Sequence, residues 1–274
     1  MRKHPIASIY VLGPILSIII GVLFTGRIVG FLGWRLDLLT GEKYCFQDFA
    51  AVLGSFLLLF LFTKWFAPEY KGCFKKLDGS VDRKFGLLML AAVIIDIAYC
   101  LTGSDGFIIP NAITLAAFAD ALSAGVLEET ACRALPISIA MRKGPEKKHM
   151  ITALAVACVP FGLLHLMNLF STEMSVTMVL VQVVFAVGIG FLFATIYMRT
   201  GNILVSMCLH FLHDFLINLA KLVAQQQGID TNEVSAFDIV TVGIFGVCCI
   251  IIAILMLKGH EEEITVVWND RWSR

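Results

Sequence analysis

Glu128 and Glu129 stand side by side in an apolar stretch, and Arg133 follows one helical turn later. A charged side chain at mid-bilayer costs roughly 2.5–3.5 kcal/mol on insertion scales, so such a cluster needs partners and usually a purpose. On a helix, Glu129 and Arg133 share a face at i,i+4, the spacing of a carboxylate–guanidinium pair. Glu128 lies off that face and is left to aim at something else. Two further stretches, Phe161-Gly162-Leu163-Leu164-His165 and His210-Phe211-Leu212-His213-Asp214, each put a histidine inside an apolar segment. The second adds a carboxylate one turn on. A carboxylate with a histidine can take a proton from water and hand it to a leaving amine, and Glu128 with His165 suits that role. His210 and Asp214, also i,i+4, could hydrogen-bond an oxyanion or orient the other histidine. The plain alternatives use the same residues: an ion-pair latch between helices, or a histidine bonded to a backbone carbonyl. His213 has no motif of its own and reads as packing or support.

These side chains need elements that hold them away from water. Hydrophobic residues make up 58% of the 274-residue chain and charged residues 15%, with a mean hydropathy of +0.85. A soluble domain is about 45–50% apolar and about 25% charged, so the expected class is an all-α integral membrane protein. Apolar runs long enough to span occur near Ile6–Phe24, Phe49–Phe66, Phe85–Leu101, Ile113–Met141, Met150–Leu169, Met174–Met198, Ile203–Leu222 and Ile239–Leu257. That predicts a polytopic bundle of about eight transmembrane helices around a buried polar site. The first run follows Arg2 and Lys3 but has no small-x-small cleavage site near its end, so it reads as a retained span. The tail from His260 to Arg274 is too short to fold alone. The chain reads as one membrane domain over 1–274, with residues 110–220 as its core.

Positive charge sets the expected orientation. With the N-terminus inside, most of the 21 Lys and Arg fall on cytoplasmic segments, and only Arg27, Arg35 and Lys43 lie outside. Both termini are therefore expected in the cytoplasm. The eight cysteines form no C-x-x-C pair and fall mostly in apolar segments, which excludes a zinc knuckle or disulfide scaffold as the organising feature. No basic patch with interleaved aromatics points to nucleic acid. Pro136 and Pro160 each remove a helical hydrogen bond beside a motif. Gly125, Gly162, Gly188 and Gly190 lie within spans, where small residues let helices approach. Asp96 and Asp120 read as supporting groups or as partners for donors in the outer half, Asn168 as a cavity residue, and Gln182 as an interhelical hydrogen bond.

Depth brings the motifs together. At about 1.5 Å per residue, Glu128 lies roughly 20 Å from the cytoplasmic end of its span and His165 roughly 22 Å from the start of its own. His210 and Asp214 lie roughly 10–18 Å from Ile203. All four can meet near the midplane.

E-E-x-x-x-R, F-x-x-x-H and H-x-x-x-(N/D), in order on a polytopic chain, resemble the CPBP family: type II CAAX prenyl proteases and bacteriocin-processing or self-immunity proteins. The stretch Thr200-Gly201-Asn202-Ile203-Leu204 is similar to the family as well, and the resemblance covers about residues 110–220. It implies an intramembrane glutamic endopeptidase with no cofactor and no metal requirement. Glu128 matches the general base, His165 the histidine sharing the catalytic water, His210 the oxyanion-side histidine and Asp214 its partner. Glu129 and Arg133 match supporting positions. Asp214 stands where the eukaryotic enzymes have Asn, so it either donates while protonated or orients a neighbour as an acceptor. The implied setting is a bacterial cell membrane. The implied partners are the lipid bilayer and a membrane-associated peptide or protein substrate, with or without a lipid anchor. A bacteriocin precursor or peptide pheromone fits that setting. Three rivals use the same residues. A proton-coupled transporter would bury such charges but lacks a repeat pairing its halves. A zinc protease would want H-E-x-x-H, which is absent. A silent immunity protein would keep the fold without the chemistry.

Overall fold

Between Leu115 and Met141 the chain forms one rod with a change of pitch at its centre. Helix α3 (Leu115–Glu129) runs into a π-helical turn, Thr130–Ala134, which leads directly into α4 (Leu135–Met141). The Leu135 N–H reaches back to the Thr130 carbonyl, the wide-turn bond of a π segment. Pro136 follows at the start of α4. Its ring supplies no N–H for the Cys132 carbonyl, and the wide turn gives that ring room. The acidic motif therefore sits where the helix changes pitch.

The computed structural model describes residues 40–75, 82–101, 115–142, 144, 146–170, 175–226, 228 and 235–272. The other helices are α1 (Thr40–Leu61), α2 (Arg83–Leu101), α5 (Lys147–Leu164), α6 (Val176–Thr200), α7 (Ile203–Gln226), α8 (Ala236–Leu257) and α9 (Glu261–Arg271). A π-helical turn, Phe62–Phe66, extends α1, and a 3-10 turn, His165–Phe170, extends α5. Among the described residues there are no strands; one isolated backbone bridge joins Phe74 to Asn202. The protein is a polytopic all-α membrane protein.

Five of the eight expected spans are long and apolar enough to cross a bilayer: Gln47–Phe66, Lys147–Phe170, Val176–Thr200, Ile203–Ala224 and Ala236–Leu257. Helix α2 and the α3–α4 rod occupy the expected Phe85–Leu101 and Ile113–Met141 but carry more charge. The expected Ile6–Phe24 span lies outside the described residues. Large apolar side chains such as Leu53, Phe60, Leu163, Val184 and Ile244 face outward, each more than half exposed. In water that surface would be costly, whereas hydrocarbon makes it neutral.

Helix α6 lies at the centre, packed on α5, α7 and α8, and glycines set the spacing. A Cβ added to Gly188 would stand 2.9 Å from the Gly246 Cα of α8, so α6 and α8 touch backbone to backbone. At Gly125 a Cβ would lie 2.8 Å from the Phe211 backbone N of α7. Gly125→Ala should accordingly push α3 from α7, the two helices that carry the first and third motifs. We expect a loss of about 1–3 kcal/mol, read as a lower unfolding temperature in detergent. An unchanged transition would mean that the two helices separate without strain.

The tail folds on the bundle, not alone. Ile264, Val267, Trp268, Arg271 and Trp272 of α9 and its C-terminal edge are buried. The Trp268 indole N–H donates to the Met198 carbonyl at 2.9 Å. Arg271 donates to the Gly72 carbonyl, also at 2.9 Å, and Arg199 pairs with Glu263. Lys71 donates to Asp270 at 2.9 Å, and this bond holds the Asp270 carboxyl below its ordinary range. Helix α9 thus ties the segment after α1 to the α6–α7 corner. Gly201 turns that corner with φ +62°.

Candidate active site

The π turn separates the tasks of the two adjacent glutamates. Glu129 is fully buried, and its Oε1 lies 2.9 Å from Arg133 Nη1 and 2.8 Å from His210 Nδ1. One carboxylate oxygen thus joins the first motif to the third. Glu128 keeps about a third of its side chain accessible, with Oε2 3.6 Å from His210 Nε2. Asp214, one turn beyond His210 on α7, brings Oδ2 to 3.4 Å from the same Nε2. The two faces of the His210 ring are therefore divided. Nδ1 belongs to the buried Glu129–Arg133 pair, and Nε2 faces the more accessible Glu128 and Asp214.

Arg133 is held by shape as well as charge. Its guanidinium lies 3.7 Å from the centroid of the Phe161 ring, a cation–π contact. A Cβ at Gly190 would come within 2.8 Å of its Nη2, so the absence of a side chain on α6 leaves room for the guanidinium. The phenylalanine of the second motif thus forms the floor under the arginine of the first. Phe161 also meets His165 edge-on at 5.0 Å and His210 edge-on at 6.1 Å between ring centroids.

His165 begins the 3-10 turn at the end of α5, where Pro160 lies inside the preceding turn. Its Nδ1 is 2.9 Å from the Phe161 carbonyl. A carbonyl can only accept, so Nδ1 donates and a neutral ring presents a lone pair on Nε2. At His210 a carboxylate paired with arginine likewise accepts from Nδ1, and the two carboxylates facing Nε2 suit a second hydrogen there, on an imidazolium. His165 is near enough to Glu128 for their charges to interact.

Of the residues singled out in the sequence, Glu128, Glu129, Arg133, His210 and Asp214 form one contiguous network, with His165 flanking it across Phe161. Asn168 and Gln182 bond each other at 2.8 Å, joining the 3-10 turn to α6. Asp120 accepts from Asn218 at 3.0 Å. His213 has a partner that its lack of a motif did not reveal: Asp96 of α2, whose Oδ1 lies 2.5 Å from His213 Nδ1. A carboxylate in the apolar run of α2 was the available signal, because it must be matched by a donor on a facing helix.

No curated protein and no solved structure matches the chain. Residues 110–216 match the family model described as type II CAAX prenyl endopeptidase Rce1-like. That stretch runs from just before α3 to just past Asp214 and holds all three motifs. Over residues 110–216, the chain is similar to the type II CAAX prenyl endopeptidase Rce1-like family.

Proposed function

We propose that the chain is an intramembrane glutamic endopeptidase that hydrolyses a peptide bond of a membrane-associated substrate. Glu128 carries this reading: it is the accessible one of the two adjacent glutamates, and it faces the same imidazole nitrogen as Asp214. Glu128 accepts a proton from water, and the hydroxide so formed attacks the scissile carbonyl carbon. His165 Nε2 holds that water from its other side. The oxygen of the tetrahedral intermediate is stabilised by a hydrogen on His210 Nε2 and by Asp214. Collapse breaks the C–N bond as Glu128 returns the proton to the leaving amine. Glu129 and Arg133 take no proton in this scheme; they hold His210 by its Nδ1.

The substrate class follows from the family and from the setting of the site: a hydrophobic peptide or a protein terminus held at the bilayer, prenylated or not. The test is cleavage in proteoliposomes of labelled peptides ending in Cys-aliphatic-aliphatic-X, with and without a farnesyl thioether, beside an unlipidated hydrophobic peptide. Release of a C-terminal fragment from at least one of them is expected. Intact peptides throughout, together with uptake of a labelled solute, would replace the protease with a transporter.

Asp214 offers a finer test. Because Glu129 already holds His210 Nδ1, the ring does not depend on Asp214 for its orientation. The donor role therefore predicts that Asp214→Asn, which supplies a permanent N–H, keeps activity within about tenfold of the parent. Cleavage by the Asn variant beside the parent, measured across about pH 5–9, checks this. An Asn variant inactive at every pH would instead make Asp214 an obligatory acceptor.

A further inference from the structure

We propose that Asp96, Cys100 and His213 form a structural zinc site that ties α2 to α7, separate from the Glu128 cluster. Asp96 and Cys100 are i,i+4 on α2, so both face the same neighbour. Across from them, His213 places Nδ1 2.5 Å from Asp96 Oδ1 and 4.0 Å from Cys100 Sγ. The three donor atoms lie within 4.8 Å of one another. Tetrahedral zinc, with bonds of about 2.0–2.1 Å to nitrogen and oxygen and 2.3 Å to sulfur, sets N···O near 3.3 Å and N···S near 3.6 Å. The carboxylate must therefore swing out by somewhat under 1 Å and the thiol move in by about half as much, both small torsional changes at side-chain ends.

Three features favour a metal over a bare hydrogen bond. The first is charge. A dication bound by one thiolate, one carboxylate and a neutral imidazole is neutral overall, the form that a low-dielectric site tolerates best. The second is donor type. Sulfur and nitrogen exclude magnesium and calcium, which require oxygen, and the carboxylate favours zinc over softer copper(I). The third is preorganisation. The His213 ring is stacked against Phe185 at 5.1 Å and against Tyr99 and Phe245 at 6.2 Å each, which fixes Nδ1 toward α2. Asp96 also lines a small, mostly apolar pocket with Phe193, Leu209 and Phe245. From an ionised Asp96 and a neutral His213, binding releases the thiol proton and moves the imidazole hydrogen from Nδ1 to Nε2.

The site does no chemistry on the substrate. His213 lies between His210 and Asp214 on α7, so a metal held there fixes the helix that presents them. This inference does not depend on the role of Glu128. The experiment is metal analysis of the purified full chain after dialysis against zinc, with a parallel cobalt(II) sample read by absorption. We expect about one zinc per chain and a thiolate-to-cobalt charge-transfer band. Cys100→Ser, nearly isosteric and checked for folding by circular dichroism, should abolish the band, and Asp96→Asn should lower zinc content. Glu128→Gln and His165→Ala should keep both metal and band. A wild-type chain that stays metal-free overturns the site. So does metal content unchanged in Cys100→Ser or lost in Glu128→Gln.

Discussion

Glu128→Gln is expected to lower peptide cleavage by about 10²–10⁴-fold, the contribution of a positioned general base, while leaving the fold intact. The substitution keeps size and shape, and it falls on the carboxylate of the motif that retains access, not on the buried one. An amide cannot take a proton from water, so the loss should appear in kcat. The neighbouring change is the control. Glu129→Gln removes the charge that Arg133 and His210 share and should lower folded yield as well as rate. The pair of variants thus separates a group that acts on water from one that holds the site together. His165→Ala should resemble Glu128→Gln, with large kinetic and small structural consequences. Turnover near normal in a well-folded Glu128→Gln protein would remove glutamate catalysis from the account.

The division of labour between Glu128 and Glu129 was only half legible in the sequence. The i,i+4 spacing of Glu129 and Arg133 predicted their pairing, and it holds at 2.9 Å across the π turn. That Glu129 also takes His210 Nδ1 could not be read there, because it depends on the α3–α7 distance set by Gly125 and on the local pitch of the rod. The long apolar runs marked the helices well, since a segment in hydrocarbon must satisfy its own backbone. The tail was harder. Ile264, Val267, Trp268, Arg271 and Trp272 follow helical spacing, yet a helix of 11 residues is marginal in isolation. Its stability comes from docking on Met198 and Gly72, partners distant in sequence. Asp96 was legible as a carboxylate in need of a donor, but that the donor is His213 was not, because their pairing is purely tertiary.

Arg133→Ala should cost roughly 3–5 kcal/mol, the loss on breaking one side of a buried ion pair, and should cut folded yield before any effect on chemistry. Both Arg133 and Glu129 are fully buried. Without the guanidinium, Glu129 keeps only His210 as a charged partner, and Phe161 loses the group stacked above it. Arg133→Lys should rescue little, because an ammonium has no planar face to lie on the Phe161 ring. The double variant Glu129→Gln, Arg133→Met is the informative one. Removing both charges and refilling the volume avoids an unpaired buried ion, so its stability should exceed that of Arg133→Ala even though His210 is released. Thermal unfolding in detergent, followed by monodispersity on a sizing column, orders the three variants. Full stability in Arg133→Ala would mean that His210 alone suffices to hold Glu129, and that the arginine on the π turn serves packing and not charge.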